Sequence, residues 1–228
     1  MNNGFGFLDL DPSIKDKALE LKDSEYAPIR NQSIKYVLKD QDDQAKESLK
    51  AFIKDEDSNV RQTAFDYVGR FNDESLIPLV VESINDPNQI DSNWSALSAL
   101  SDMCMDDPFY DHQSSDAWNA IMDYLSQDVT EQNPSYLDLQ AIKPNNDEDE
   151  DFIAWRDGTE YVDTDAIVNA MNQIIDSDQA SWLAVKEAIS VVKAYGTEAQ
   201  YQQLEERIQN RTSDSMKDAL LEAYHENE

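Results

Sequence analysis

A repeat constrains this sequence more than any other feature. Residues 29–37 read IRNQSIKYV and residues 60–68 read VRQTAFDYV. At an offset of 31 residues, Arg30 matches Arg61, Tyr36 matches Tyr67 and Val37 matches Val68. A looser copy begins near Trp94 (NWSALSAL), and a fourth runs from Trp182 to Tyr195 (WLAVKEAISVVKAY). A unit of this size cannot bury its own apolar face, so successive copies must stack on one another.

The repeated unit is helical. Ile167, Val168, Met171, Ile174 and Ile175 follow the spacing of one buried helix face, and Trp182, Val185, Ile189 and Val192 repeat it. Ala45, Leu49, Phe52 and Ile53 form a further stripe, as do Ile14, Ala18 and Leu21. The same spacing assigns Trp94 and Trp182 to the core. Asp57-Ser58-Asn59, Asp91-Ser92-Asn93 and Thr212-Ser213-Asp214 precede apolar runs, where their side chains can accept from unpaired helix amides. Gly69 and Gly196 stand near the ends of runs, where a left-handed C-cap is expected. Only five glycines occur, too few for an all-β chain.

The segment DEDSNVRQTAFDYVGRF, residues 55–71, resembles the turn and second helix of a HEAT repeat. The family pattern is an acidic turn, a Val-Arg pair and a small residue four after the Val. Here these are Asp57, Val60, Arg61 and Ala64, and the preceding copy has Ile29, Arg30 and Ser33. The resemblance is close over residues 25–85, looser over 163–226 and weakest between 105 and 162. It implies a right-handed α-solenoid of about five hairpins, in which the Arg ties the acidic turn of a neighbouring repeat. It also implies action by display of an extended surface, with no particular chemistry attached. Some HEAT-like proteins are lyases on bilin chromophores and others act on DNA bases; the latter need a basic face.

Residues 129–162 break the rhythm with Pro134, Pro144 and the run NNDEDED, followed by FIAWRDG. We therefore expect hairpins over 1–128, an acidic insertion over 129–162 and further hairpins over 163–228, all within one continuous solenoid. Trp155 has two readings there. It either pins the insertion to the solenoid or serves, with Phe152, as a binding hot spot rimmed by carboxylates.

The chain carries 48 acidic and 18 basic residues, a net charge of −30. Such a surface repels nucleic acid and anionic membrane and attracts basic proteins. The charge is polarised. Residues 1–70 hold 14 acidic and 11 basic residues, whereas residues 71–142 hold 14 acidic residues and no Lys or Arg. Salt adaptation would also enrich Asp and Glu, but would not obviously polarise one chain in this way. A single cysteine, Cys104, excludes an internal disulfide. The N-terminus lacks a basic, apolar leader, and no apolar run is long enough to span a bilayer, so a cytoplasmic location is expected.

Candidate chemistry is sparse. No phosphate-cradling loop occurs, and an EF-hand needs Gly where Glu150 or Phe152 stands. Cys104, Asp111 and His112 are too scattered to mark a metal centre. We expect no catalytic residues, cofactor or metal. The expected partner-binding residues are Asp102, Asp106, Asp107, Asp111 and Asp116 in the middle, and Asp147, Glu148, Asp149, Glu150, Asp151, Phe152 and Trp155 in the insertion. The expected function is inhibition of a basic protein, foremost as an immunity protein against a cationic toxin such as a nuclease. A general scaffold and a DNA-mimic inhibitor are the alternatives.

Overall fold

A computed structural model describes residues 12–104, 114–130, 134–143, 150–210 and 214–226. The described residues form an all-α stack with no strand. Six helical hairpins follow in order. They are α1 (Pro12–Leu21) with α2 (Ala27–Val37), α3 (Asp43–Ile53) with α4 (Ser58–Phe71), α5 (Ile77–Ile84) with α6 (Asn93–Cys104) and α7 (Ser115–Leu125) with α8 (Tyr136–Ile142). A short helix, α9 (Glu150–Gly158), then precedes α10 (Thr164–Asp176) with α11 (Trp182–Tyr195), and α12 (Glu198–Asn210) with α13 (Asp214–Glu226).

The second helices form one row, in which α2 packs on α4, α4 on α6, α6 on α8, α8 on α11 and α11 on α13. The first helices form a looser second row. Small residues set the close approach. Ala64 in α4 and Ala96 and Ala99 in α6 are buried. A Cβ on Gly69 would lie 2.8 Å from the Cβ of Asp102, so this glycine serves helix packing. The left-handed residue after α4 is Asn72 instead, with φ 44°. Gly196 caps α11 in an extended conformation, where a Cβ would lie 2.6 Å from the Val192 carbonyl oxygen.

Local signals account for the hairpin starts. Asp57 caps α4 by accepting from the amides of Asn59 and Val60, and Asp42, Asp163 and Ser181 cap α3, α10 and α11 in the same manner. Residues 212–213 lie outside the described residues.

The repeat arginines form a ladder. Arg30 makes a bidentate pair with Asp55, with Nε–Oδ2 at 2.8 Å and Nη2–Oδ1 at 2.7 Å, and donates to the Ser24 carbonyl. Arg61 repeats the geometry one rung on. It donates to the carbonyls of Asp55 and Glu56, to Ser92 Oγ and, at 2.6 Å, to Asp91 Oδ1. Each guanidinium thus closes the turn of its own hairpin and grips the next.

Within the expected insertion, residues 136–142 pack into the stack. Ser135 and Asp138 form a capping box that starts α8, and buried Leu139 and Ile142 fill the space between α6 and α11. The described residues thus hold six hairpins, because residues 136–142 supply the second helix of the α7 hairpin.

Candidate protein-interaction surface

Aromatic side chains attach α9 to the ends of the second-helix row. The last carbonyls of a helix lack partners within it. Trp155 Nε1 donates to the Cys104 carbonyl at 3.0 Å, and Tyr161 Oη donates to the same oxygen at 2.6 Å. Arg156 Nη1 donates to the Ala194 carbonyl, and Tyr195 Oη to that of Ile142. The last turns of α6, α8 and α11 are thereby closed by four side chains. Trp155 packs edge-on against Trp118 at 5.8 Å, and Phe152 meets Tyr195 edge-on at 5.4 Å.

This arrangement corrects the hot-spot reading of Trp155. The residue is only 5% exposed, so its indole belongs to the core. Phe152 is half-buried against it. Asp102 and Asp116 are exposed, on α6 and at the start of α7, and Glu150 is exposed at the start of α9. Asp106, Asp107, Asp111, Asp147, Glu148 and Asp149 lie outside the described residues, as does the side chain of Asp151. Trp94 is a further correction, since it is 45% exposed on α6 and does not lie in the core.

The ion pairs explain the charge polarity. Lys15 pairs with Asp40 and Asp42, Lys46 with Asp73, Lys54 with Glu82 and Arg61 with Asp91. Each pair joins one hairpin to the next. The cations of the first two hairpins thus reach forward and neutralise Asp73, Glu82 and Asp91. Between Arg70 and Lys143 the supply stops. Among the described residues no cation pairs with Asp116, Asp123 or Asp128, which lie exposed along and just after α7. Asp123 and Asp128 were not among the expected site residues, because their signal lies in the ion-pair ledger and not in any motif.

Where the arginine ladder ends, a polar network without a cation replaces it. Asn93 stands 32 residues after Arg61, about one repeat on, and is buried. It hydrogen-bonds Tyr124, whose Oη donates to Asp138 Oδ2 at 2.8 Å. Asp138 also accepts from the Ser135 amide at 2.8 Å. Burial pushes the Asp138 carboxyl above its ordinary range, partly opposed by the bonds from Ser135 and Tyr124. Burial and the neighbouring Asp138 push the Tyr124 phenol up as well.

The sign of the resulting pH dependence follows from the direction of the Asp138 shift. A carboxyl whose folded pKa is raised favours the fold while protonated, and that contribution is lost as pH rises through the folded value. Asn at this position cannot ionise. The stability difference between Asp138→Asn and the parent should therefore move in the variant's favour from about pH 4 to about pH 7. Urea titrations at the two pH values check this, and a difference that moves the other way would refute the raised carboxyl.

Comparisons with known proteins bear on the fold. The family model for HEAT repeats matches residues 16–108. No curated protein matches the sequence. The chain is similar to a chain of the CpcE–CpcF complex of phycocyanin lyase from Nostoc sp., at 14% identity and a TM-score of 0.48, over 98% of this chain and 79% of that one. It is also similar to an engineered protein, at 13% identity and a TM-score of 0.42, over 94% of this chain and 96% of that one. Human deoxyhypusine hydroxylase is similar at 13% identity and a TM-score of 0.35, over 95% and 86% of the respective chains. No described helix is long and apolar enough to cross a membrane.

Proposed function

From the premise that this chain is a HEAT-repeat protein, we propose that it is an acidic binding module that captures and inhibits a basic protein. Within that class we propose an immunity protein that neutralises a cationic toxin such as a nuclease. The repeat architecture itself is a protein-interaction scaffold. The observation that carries the finer reading is the end of the ion-pair chain at Asp91. Up to that point Asp40, Asp42, Asp55, Asp73, Glu82 and Asp91 are each paired with a cation of the preceding hairpin, and beyond it Asp116, Asp123 and Asp128 face solvent without a paired cation among the described residues.

Such a field acts mainly on encounter. It raises association rates by about 10–10³-fold over a neutral surface and is lost as salt increases. Capture from the native host followed by mass spectrometry should return one basic protein. Its association with the Asp116→Asn/Asp123→Asn/Asp128→Asn variant should be about tenfold slower at low salt, with much less change in dissociation. Recovery of acidic partners, or an unchanged association rate, would defeat the basic-partner reading and leave a general scaffold.

A further inference from the structure

Eight large apolar side chains are exposed among the described residues, and six of them stand at the starts of second helices: Tyr26, Ile29, Ile90, Trp94, Leu137 and Leu183. The other two, Ile14 and Leu21, belong to α1 at the end of the stack. The first turn of α4, in contrast, is polar, with Ser58 and Asn59. Trp94, Leu137 and Leu183 are each the second residue of their helix, in α6, α8 and α11. These three helices are consecutive neighbours in the row.

Their starts are held in register. Trp94 follows Asn93 and Leu137 precedes Asp138, and Tyr124 hydrogen-bonds both of those flanking residues. Gln140 Nε2 donates to Glu187 Oε1 at 3.0 Å, which ties α8 to α11 one turn further in. One apolar edge therefore crosses three helices. The turns that lead into these helices carry Asp86, Asp128 and Asp178, besides Asp91, which Arg61 pairs. Two of the three hairpins lie within residues 71–142, which contain no Lys or Arg. Lys186, held 5.6 Å from the Trp182 ring, is a basic side chain of this edge.

We infer that this edge, Trp94–Leu137–Leu183, is the docking site for a basic amphipathic helix of the partner protein. The inference rests on the acidic-module reading and adds the surface and the chemistry of the bound segment. Charge complementarity selects the occupant, because an apolar edge with acidic turns along it matches a segment with apolar residues on one side and Lys or Arg on the others. Dimensions agree. Packed helices lie about 8–10 Å apart, and residues seven apart along a helix lie about 10.5 Å apart. A partner helix laid across the row would place one apolar residue on each of α6, α8 and α11 every two turns. Trp94 is the anchor, since large aromatic side chains carry a disproportionate share of interface affinity.

Two labelled peptides of about 18 residues, roughly 27 Å as helices, provide the test. One is a Lys/Leu amphipathic helix, and the other has the same Lys positions with Ser in place of Leu. Low-salt titration of the full chain should show the Lys/Leu peptide binding about tenfold or more tightly. The Trp94→Ser/Leu137→Ser/Leu183→Ser variant should lose that preference while its affinity for the Lys/Ser peptide stays the same. All three positions are exposed, and circular dichroism of the variant should match that of the parent. Equal binding of the two peptides, or a preference that survives in the variant, would overturn the inference and leave the acidic module standing. Failure of both peptides to bind at low salt would overturn the module reading as well. A parent chain that sediments as a dimer and a variant that sediments as a monomer would identify the occupant as a second copy, and would also overturn the inference.

Discussion

Replacing Arg61 by alanine should lower the unfolding free energy by about 3 kcal/mol, at the lower end of the cost of removing one partner from a buried ionic network. Arg61 is 3% exposed, and its guanidinium serves two backbone carbonyls, Ser92 Oγ and Asp91. Without it the carbonyls of Asp55 and Glu56 lose these donors, in a site where a hydrogen bond to a charged group is worth about 1.5–3 kcal/mol. The Asp91 side chain is 55% exposed and regains water, which limits the loss. For a chain of this size the melting temperature should fall by about 6–12 °C. Lysine should not rescue, because a single ammonium cannot reproduce the planar fork that reaches four acceptors.

The two rungs of the ladder should differ in a way that isolates the mechanism. Arg30 and Asp55 both have side chains about a tenth exposed, and they form a bidentate pair. A double-mutant cycle between them should give a coupling well above that between Arg61 and Asp91, which resembles a solvent-exposed pair of about 0.2–1 kcal/mol. If the Arg61–Asp91 coupling proves the larger, the ladder is held by charge pairing along the acidic edge and not by closure of the turns.

That ladder was readable from residues. The Ile/Val-Arg pairs at 29–30 and 60–61, with the acidic turn at 55–57, carry the register, and the structure confirms the expected tie between neighbouring repeats. Other features were hidden for physical reasons. The helix α8 has seven residues, too few for a helical period to stand out, and Pro134 and Pro144 on either side read as breaks. The helix α9 lies across helix ends, so it needs a few donors and one aromatic anchor where a groove-packed helix needs an apolar stripe. Trp94 lies beside the buried positions of its stripe, and the register that places Asn93 after Arg61 also places Trp94 after the half-exposed Gln62. The exposure of Trp94 was thus encoded in the repeat, although its helical spacing also matches a core stripe.

The attachment of α9 gives the other large effect. Trp155→Ala should cost about 3–5 kcal/mol, the range for truncating a buried large aromatic, because the indole packs on Trp118 and Phe152 and closes the end of α6. Trp155→Phe should cost much less, about 1 kcal/mol for one hydrogen bond, since Tyr161 still donates to the Cys104 carbonyl. Tyr161→Phe alone should be similarly mild, as Trp155 Nε1 continues to serve that oxygen. The double variant Trp155→Phe/Tyr161→Phe removes both donors, leaves the carbonyl unpaired at the end of α6 and should cost more than the sum of the two single changes. Urea unfolding of the four proteins measures this directly. Strict additivity would mean that water replaces the two donors, and that α9 is held by its aromatic contacts alone.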